Sequence, residues 1–350
     1  MKRLVHVIGL VVLFWTPLAA QDTPLIARSA SGRPLVQPEG TYVFQHIPHS
    51  DIIFEGQIAP RLIIVDSIGR ATRNVLLEMK PPSWGYQIST TPMVRLRMFD
   101  ETSNPVRTPS YMPKVTVQLA RFRNLSPSND VDAEEFNRGP VEIWLVDAVP
   151  FGHHSNGQDG CLFTSQARNA NGDCVEVAPT PEPIVNKKDG SFSTNYVQAM
   201  AFYGRMYLDS MGAAASEFAT RWDWRIGAGM QFNPEGYIGG SIKLELSELY
   251  GPTRVLFSGL TARRDLGRCG RFAGEAHFQY MTTPPPDVSN LITQLEGACH
   301  PRNWGGAGVF VRFYHGQDYY NLGFAESITR VMFGMTLQKE NFLSFRISPI

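Results

Sequence analysis

Apolar and polar side chains alternate along most of this chain in runs of about ten residues. Val115, Val117 and Leu119 oppose Thr116 and Gln118; Ile242, Leu244 and Leu246 oppose Lys243, Glu245 and Ser247; Val331, Phe333, Met335 and Leu337 oppose Arg330, Gly334 and Thr336. A period of two places each set on one face of a β-strand. Further candidate strands fall at 41–48, 60–67, 73–80, 91–99, 141–155, 191–196, 222–232, 252–263, 271–281 and 307–315. A soluble sandwich and a membrane barrel share this alternation. Two features favour the barrel. The runs exceed the five or six residues usual in soluble strands. Aromatic residues also crowd the strand ends (Trp222, Trp224, Tyr237, Tyr250, Tyr280, Tyr319 and Tyr320), where an interfacial girdle belongs. Lys243, Glu245, Arg312 and Arg330 are then expected inside, because a cation facing lipid at mid-bilayer costs about 2–4 kcal/mol.

The ends and the composition narrow the setting. Met1-Lys2-Arg3, the apolar stretch Leu4 to Trp15 and the small residues Leu18-Ala19-Ala20 predict a signal peptide over 1–20. An irregular lead-in is expected over 21–40, and a single barrel over 41–350 with a long loop at 158–190. No stretch reaches the roughly 20 apolar residues of a spanning helix. Formal net charge is zero, which removes the electrostatic case for nucleic acid. Cys161, Cys174, Cys269 and Cys299 suit two disulfides in an exported chain. The pairs Cys161–Cys174 and Cys269–Cys299 are favoured, since each brackets a turn-rich segment.

One strand carries a reactive pair. In His153-His154-Ser155-Asn156-Gly157, His153 and Ser155 share a face, placing a base beside a nucleophile. Regular alternation extends that face back through Phe151, Val149, Asp147, Leu145, Ile143 and Val141, an apolar surface on which Asp147 is out of place. Pro150 removes a ladder donor and points to a bulge. The next strand, from Ser191, offers Asn195 as the amide that orients the imidazole. His46, His49 and Asp51 have metal-like spacing but read as solvated turn residues. No G-x-S-x-G elbow of soluble lipases occurs.

These motifs together resemble the outer-membrane phospholipase A family. The similarity rests on H-x-S-N-G at 153–157, on Ser191, Ser193 and Asn195 as S-x-S-x-N, on Asn104 to Pro113, and on the Tyr314–Tyr320 and Ser327–Val331 segments. The resemblance implies a twelve-stranded antiparallel transmembrane barrel in a bacterial outer membrane, hydrolysing acyl esters of glycerophospholipids. Ser155 would be the nucleophile, His153 the base and Asn195 its orienter. It also implies calcium in a homodimer, held by the Ser191 hydroxyl, the Gln158 carbonyl and the Ser103 carbonyl of a second copy. The chain departs from the family in its longer 158–190 segment and in having Arg95 and Arg97 near the position of the family's interface glutamine. A lipid A acyl-ester deacylase and a barrel without catalysis are the alternatives.

Overall fold

The computed structural model describes residues 40–46, 52–68, 70–71, 75, 82–100, 106–125, 141–177, 184–210, 218–233, 251, 253–265, 271–301, 304 and 307–337. The expectations for 1–39 and 242–247, and those for Ser103 and Cys269, lie outside the described residues.

Proline sets the layout of the first staves. β2 (Ile52–Ile58) and β3 (Leu62–Asp66) are one stave broken at Pro60. β4 (Ser83–Thr91) and β5 (Val94–Phe99) break at Pro92, and β6 (Ser110–Tyr111) and β7 (Lys114–Asn124) at Pro113. Each proline lacks the N–H that a ladder needs. The breaks lie side by side, because β2 pairs β5, β5 pairs β6, β3 pairs β4 and β4 pairs β7. Ala59, Met93 and Met112 fill the seam as a small buried cluster.

Counting each broken pair once, twelve antiparallel staves close into a barrel among the described residues. β1 (Tyr42–His46) precedes the broken pairs; β8 (Val141–Ser155), β11 (Ser193–Ser210), β12 (Phe218–Phe232) and β13 (Thr253–Asp265) follow them. β14 (Arg271–Met281), β15 (Leu291–His300), β16 (Ala307–Gln317) and β17 (Ser327–Leu337) complete the ring, in which β8 pairs β11 and β17 pairs β1. Closure removes the free edges that an open sheet presents. The connection after β8 carries a two-stranded hairpin, β9 (Gln166–Arg168) with β10 (Cys174–Glu176), and the Cys161–Cys174 disulfide. Cys299 is also disulfide-bonded. The rim bearing this connection is called upper below, the opposite rim lower.

Outer and inner faces differ as the alternation requires. Val43, Trp84, Leu119, Trp144, Val146, Ile226, Phe257, Val311 and Phe333 are exposed on the outside. The interior is polar along much of its length. Gln57, Arg61, Gln118, Asp147, Arg254 and Arg312 line a cavity of about 340 Å3. Arg312 pairs with Glu296 there. Higher up, Glu55 and Arg97 form a fully buried ion pair, and Arg97 also reaches Asp318 at 2.7 Å. No described helix is long and apolar enough to cross a membrane.

Two expectations change. Val75, inside the strand predicted at 73–80, is helical. The Ile68 amide donates to the Asp66 carboxylate, a cap that begins a helical turn. Ile68, Ala71 and Val75 then pack inside the barrel against Phe122, Leu145, Phe202 and Leu256, closing the lower lumen. Their spacing of three and four is helical, whereas the strand reading used the apolar count alone. Tyr319 and Tyr320, expected in the outer girdle, instead face inward. Arg95 and Arg97 stack over Tyr319 at 4.3 and 4.9 Å.

Candidate active site on the outer wall

The reactive pair lies just past a break in the regular alternation of β8. β11 runs regularly beside β8: Ala199 faces Ala148, Gln198 faces Val149, Tyr196 faces Gly152 and Asn195 faces His153. Between these pairs Pro150 and Phe151 together stand opposite Val197 alone. The ladder with β7 skips at the same place, from Val117↔Ala148 to Val115↔Phe151. This is a β-bulge, which reverses side-chain parity along a strand. Pro150 belongs there because it has no N–H to leave unpaired.

The bulge corrects the face predicted for β8. Val141, Leu145, Asp147 and Val149 are buried on the inner side, and past the bulge it is His154 that lines the lumen. His153 and Ser155 share the outer wall with Trp144 and Val146, and are half-buried. Asp147 is thereby explained, since it faces the lumen and accepts a hydrogen bond from Gln118 Nε2 at 2.9 Å. Gly152 holds the inner side, where a Cβ would sit 2.2 Å from the Tyr196 ring. The Pro seam ends at the site, with the His153 amide donating to the Pro113 carbonyl at 3.0 Å.

His153 and Asn195 meet as predicted: Nδ1 lies 2.8 Å from Oδ1. An amide oxygen only accepts, so this contact keeps the proton on Nδ1 and leaves Nε2 with its lone pair. Asn195 is 3% exposed, so water competes little for that bond. Ser155 lies between two ladder partners, Ser193 on β11 and Tyr111 on β6. The height of the site along the barrel follows from strand geometry. Trp144 packs on Tyr203 at 4.8 Å, and Tyr203 on Trp224 at 5.8 Å, forming an aromatic group low on this same wall. With one residue absorbed by the bulge, Ser155 stands ten steps above Trp144, about 33 Å along the strand. A tilt near 40° reduces this to about 25 Å along the barrel axis, the height of an outer apolar band between its girdles. Ser155 thus stands about one such band height above the Trp144 aromatic group.

Asn156, part of the H-x-S-N-G run but given no role from sequence, is the hub of this strand end. It is wholly buried, and its Nδ2 lies 2.7 Å from the Gly190 carbonyl, 2.8 Å from Gln158 Oε1 and 2.9 Å from Asn321 Oδ1. Its Oδ1 accepts from the amides of Phe192 and Gln158 at 3.2 and 3.3 Å. One amide thus ties the end of β8 to the start of β11 and to the β16–β17 connection. The asparagine of the H-x-S-N-G run was a visible signal, but its partners are distant in sequence. Gln158 and Ser191 flank this amide, and Ser191 N donates to the Gly160 carbonyl at 2.9 Å. Their oxygens are neutral donors of the kind calcium accepts. Among the described residues no group of three His, Cys, Asp or Glu is placed to hold a metal. Arg95 and Arg97 point into the lumen and leave the outer wall apolar beside the site.

No family model and no curated protein matches this chain. Among solved structures, outer membrane phospholipase A from Escherichia coli is similar at a TM-score of 0.47 and 12% identity, over 90% of this chain and 97% of that one. The Salmonella typhi outer membrane phospholipase dimer with bound calcium is similar at a TM-score of 0.46 and 11% identity, over 91% of this chain and 98% of that one.

Proposed function

We propose that this barrel is an outer-membrane phospholipase that hydrolyses acyl esters of glycerophospholipids through Ser155, His153 and Asn195. The observation that carries the reading is the 2.8 Å contact between His153 Nδ1 and Asn195 Oδ1 on the outer wall. The height of Ser155 supports it, since glycerophospholipid esters lie where the acyl chains meet the headgroups. In the reaction, His153 Nε2 takes the Ser155 proton as Oγ attacks the ester carbonyl. The imidazolium, oriented by Asn195, then protonates the departing alcohol of the lysophospholipid, and water cleaves the acyl-enzyme.

Ser191 and Gln158 would hold calcium through neutral oxygens, and the Asn156 amide bonds Gln158 itself and Gly190 and Phe192 on either side of Ser191. Calcium prefers six to eight oxygens, so this pair needs water and a donor from a second copy, the role assigned to Ser103. When bound, the ion would polarise the ester carbonyl. A homodimer on the outer wall belongs to this reading. An amide partner for the histidine favours it over a deacylase with an acidic orienter.

The test is fatty-acid release from phospholipid micelles by the purified, refolded chain, with calcium and with chelator. Wild type is expected to release lysophospholipid, and Ser155→Ala to release none. Equal release by the two would remove the catalytic assignment. Undiminished turnover under chelation would remove the metal alone.

A further inference from the structure

The nucleophile faces lipid, yet the contacts that fix its strand end come from the lumen side. We propose that Asn321 is a positioning residue for Ser155, acting through Asn156. The inference rests on the phospholipase reading above and extends it to a residue far from the motif.

Asn321 begins the short 3-10 turn Asn321–Ala325 between β16 and β17 and is buried. It is the one described residue other than glycine with a positive φ, at 47°. Asparagine tolerates that region better than most side chains, at a cost. The conformation aims three polar groups at once. Oδ1 accepts from Asn156 Nδ2 at 2.9 Å, Nδ2 donates to the Thr108 carbonyl at 3.0 Å, and the backbone amide donates to Ser110 Oγ at 2.8 Å. Ser110 precedes Tyr111, the ladder partner of Ser155. Contacts therefore close a ring around the nucleophile: Ser155 to Tyr111, Ser110 to Asn321, and Asn321 to Asn156, which follows Ser155 in the chain. Through Phe192 and Gly190 the same Asn156 amide sets the entry of β11, and so the position of Asn195.

Asn321 is itself held from the lumen. Tyr320 donates to the Thr108 carbonyl at 3.0 Å, and its oxygen accepts from the Arg97 amide at 3.1 Å. Burial pushes its hydroxyl up to about 12, so it remains a donor at neutral pH. The Tyr320 amide donates to Asp318, which pairs with Arg97. The buried ion cluster and the strand end that bears Ser155 thus belong to one hydrogen-bonded assembly crossing the barrel wall. These contacts hold the strand end and do not reach the reacting atoms, so their effect should fall on turnover and not on substrate affinity.

Two substitutions separate positioning from packing. Asn321→Gly keeps the positive φ without strain and removes the amide; Asn321→Asp keeps an acceptor for Asn156. In the full chain refolded in detergent micelles, Asn321→Gly should lower kcat on a phospholipid about ten-fold with KM within two-fold. It should also speed hydrogen exchange of the Phe192 amide about ten-fold, as the Asn156 acceptor loses its anchor. Asn321→Asp should stay within three-fold of wild type on both measures. The proposal is overturned if kcat of Asn321→Gly stays within two-fold, whether or not exchange changes, or if Asp loses as much as Gly. Absence of Ser155-dependent hydrolysis in wild type would remove the phospholipase reading instead. Exchange at Phe192 would then still decide whether Asn321 orders the turn.

Discussion

Removing the Asn195 amide gives the most direct measure of the outer-wall chemistry. In the resting site the Nδ1–Oδ1 bond joins two neutral groups, and such a bond contributes about 1 kcal/mol net. In the transition state His153 is an imidazolium, and a bond to a charged donor contributes about 1.5–3 kcal/mol. The difference of about 0.5–2 kcal/mol corresponds to roughly 2–30-fold in kcat. Loss of the tautomer preference adds to it, because the productive proton on Nδ1 is no longer favoured. Asn195→Ala should therefore lower kcat roughly 10–100-fold and leave KM nearly unchanged. Asn195→Asp should keep more activity than Ala, because a carboxylate also accepts from Nδ1 and attracts the imidazolium. Its burial limits the gain, since desolvation disfavours the charged form. The assay is initial-rate fatty-acid release in mixed micelles at several substrate concentrations. Asn195→Ala within two-fold of wild type, beside an inert Ser155→Ala, would refute the orienting role.

Deleting Pro150 should leave activity within about three-fold, because Phe151 alone would then oppose Val197 and the pairs Gly152↔Tyr196 and His153↔Asn195 would keep their register; loss of activity in a barrel that still shows native heat-modified migration would refute this. Arg97→Met removes the paired cation of Asp318 and leaves Glu55 with Arg95 alone, at 3.6 Å, and should destabilise the barrel by about 3 kcal/mol; urea unfolding in micelles measures it, and an unchanged midpoint would contradict the burial argument.

Much of the barrel was legible in the chain because closure in lipid demands alternation, and alternation is a local property. Val331 to Leu337 reads correctly from its own residues. β4 and β15 were harder. Ser83–Thr91 and Leu291–His300 face a polar lumen with Gln87, Ser89 and Gln294, and on their outer faces Thr90 and Thr293 interrupt Tyr86, Leu291 and Leu295, so neither face is uniformly apolar. The helical turn at Ile68 escaped because its burial comes from the far side of the barrel, through Phe202 and Leu256. The His153, Ser155 and Asn195 arrangement was accessible from spacing and from the next strand in order. Asn156 and Asn321 were not. Their bond joins residues 165 apart in the chain, and neither residue looks different in sequence from a solvated turn amide.

The position of Asp147 shows how much one extra residue does. Without a bulge, a strand that sends His153 and Ser155 to the lipid side must send Asp147 there as well, six residues before His153. An unpaired carboxylate facing hydrocarbon is strongly disfavoured. Because Pro150 and Phe151 share one partner, Asp147 faces the lumen, where Gln118 donates to it, while the reactive pair stays outside. The bulge lets one strand satisfy a polar interior below and present polar chemistry outward above. Proline suits that position, since the extra residue leaves a donor unpaired unless it has none. The preceding three staves break at Pro60, Pro92 and Pro113 along the same line, so the wall is already loosened where β8 must reverse parity. The seam and the bulge are thus one device: a row of missing ladder donors that ends at the strand bearing His153 and Ser155.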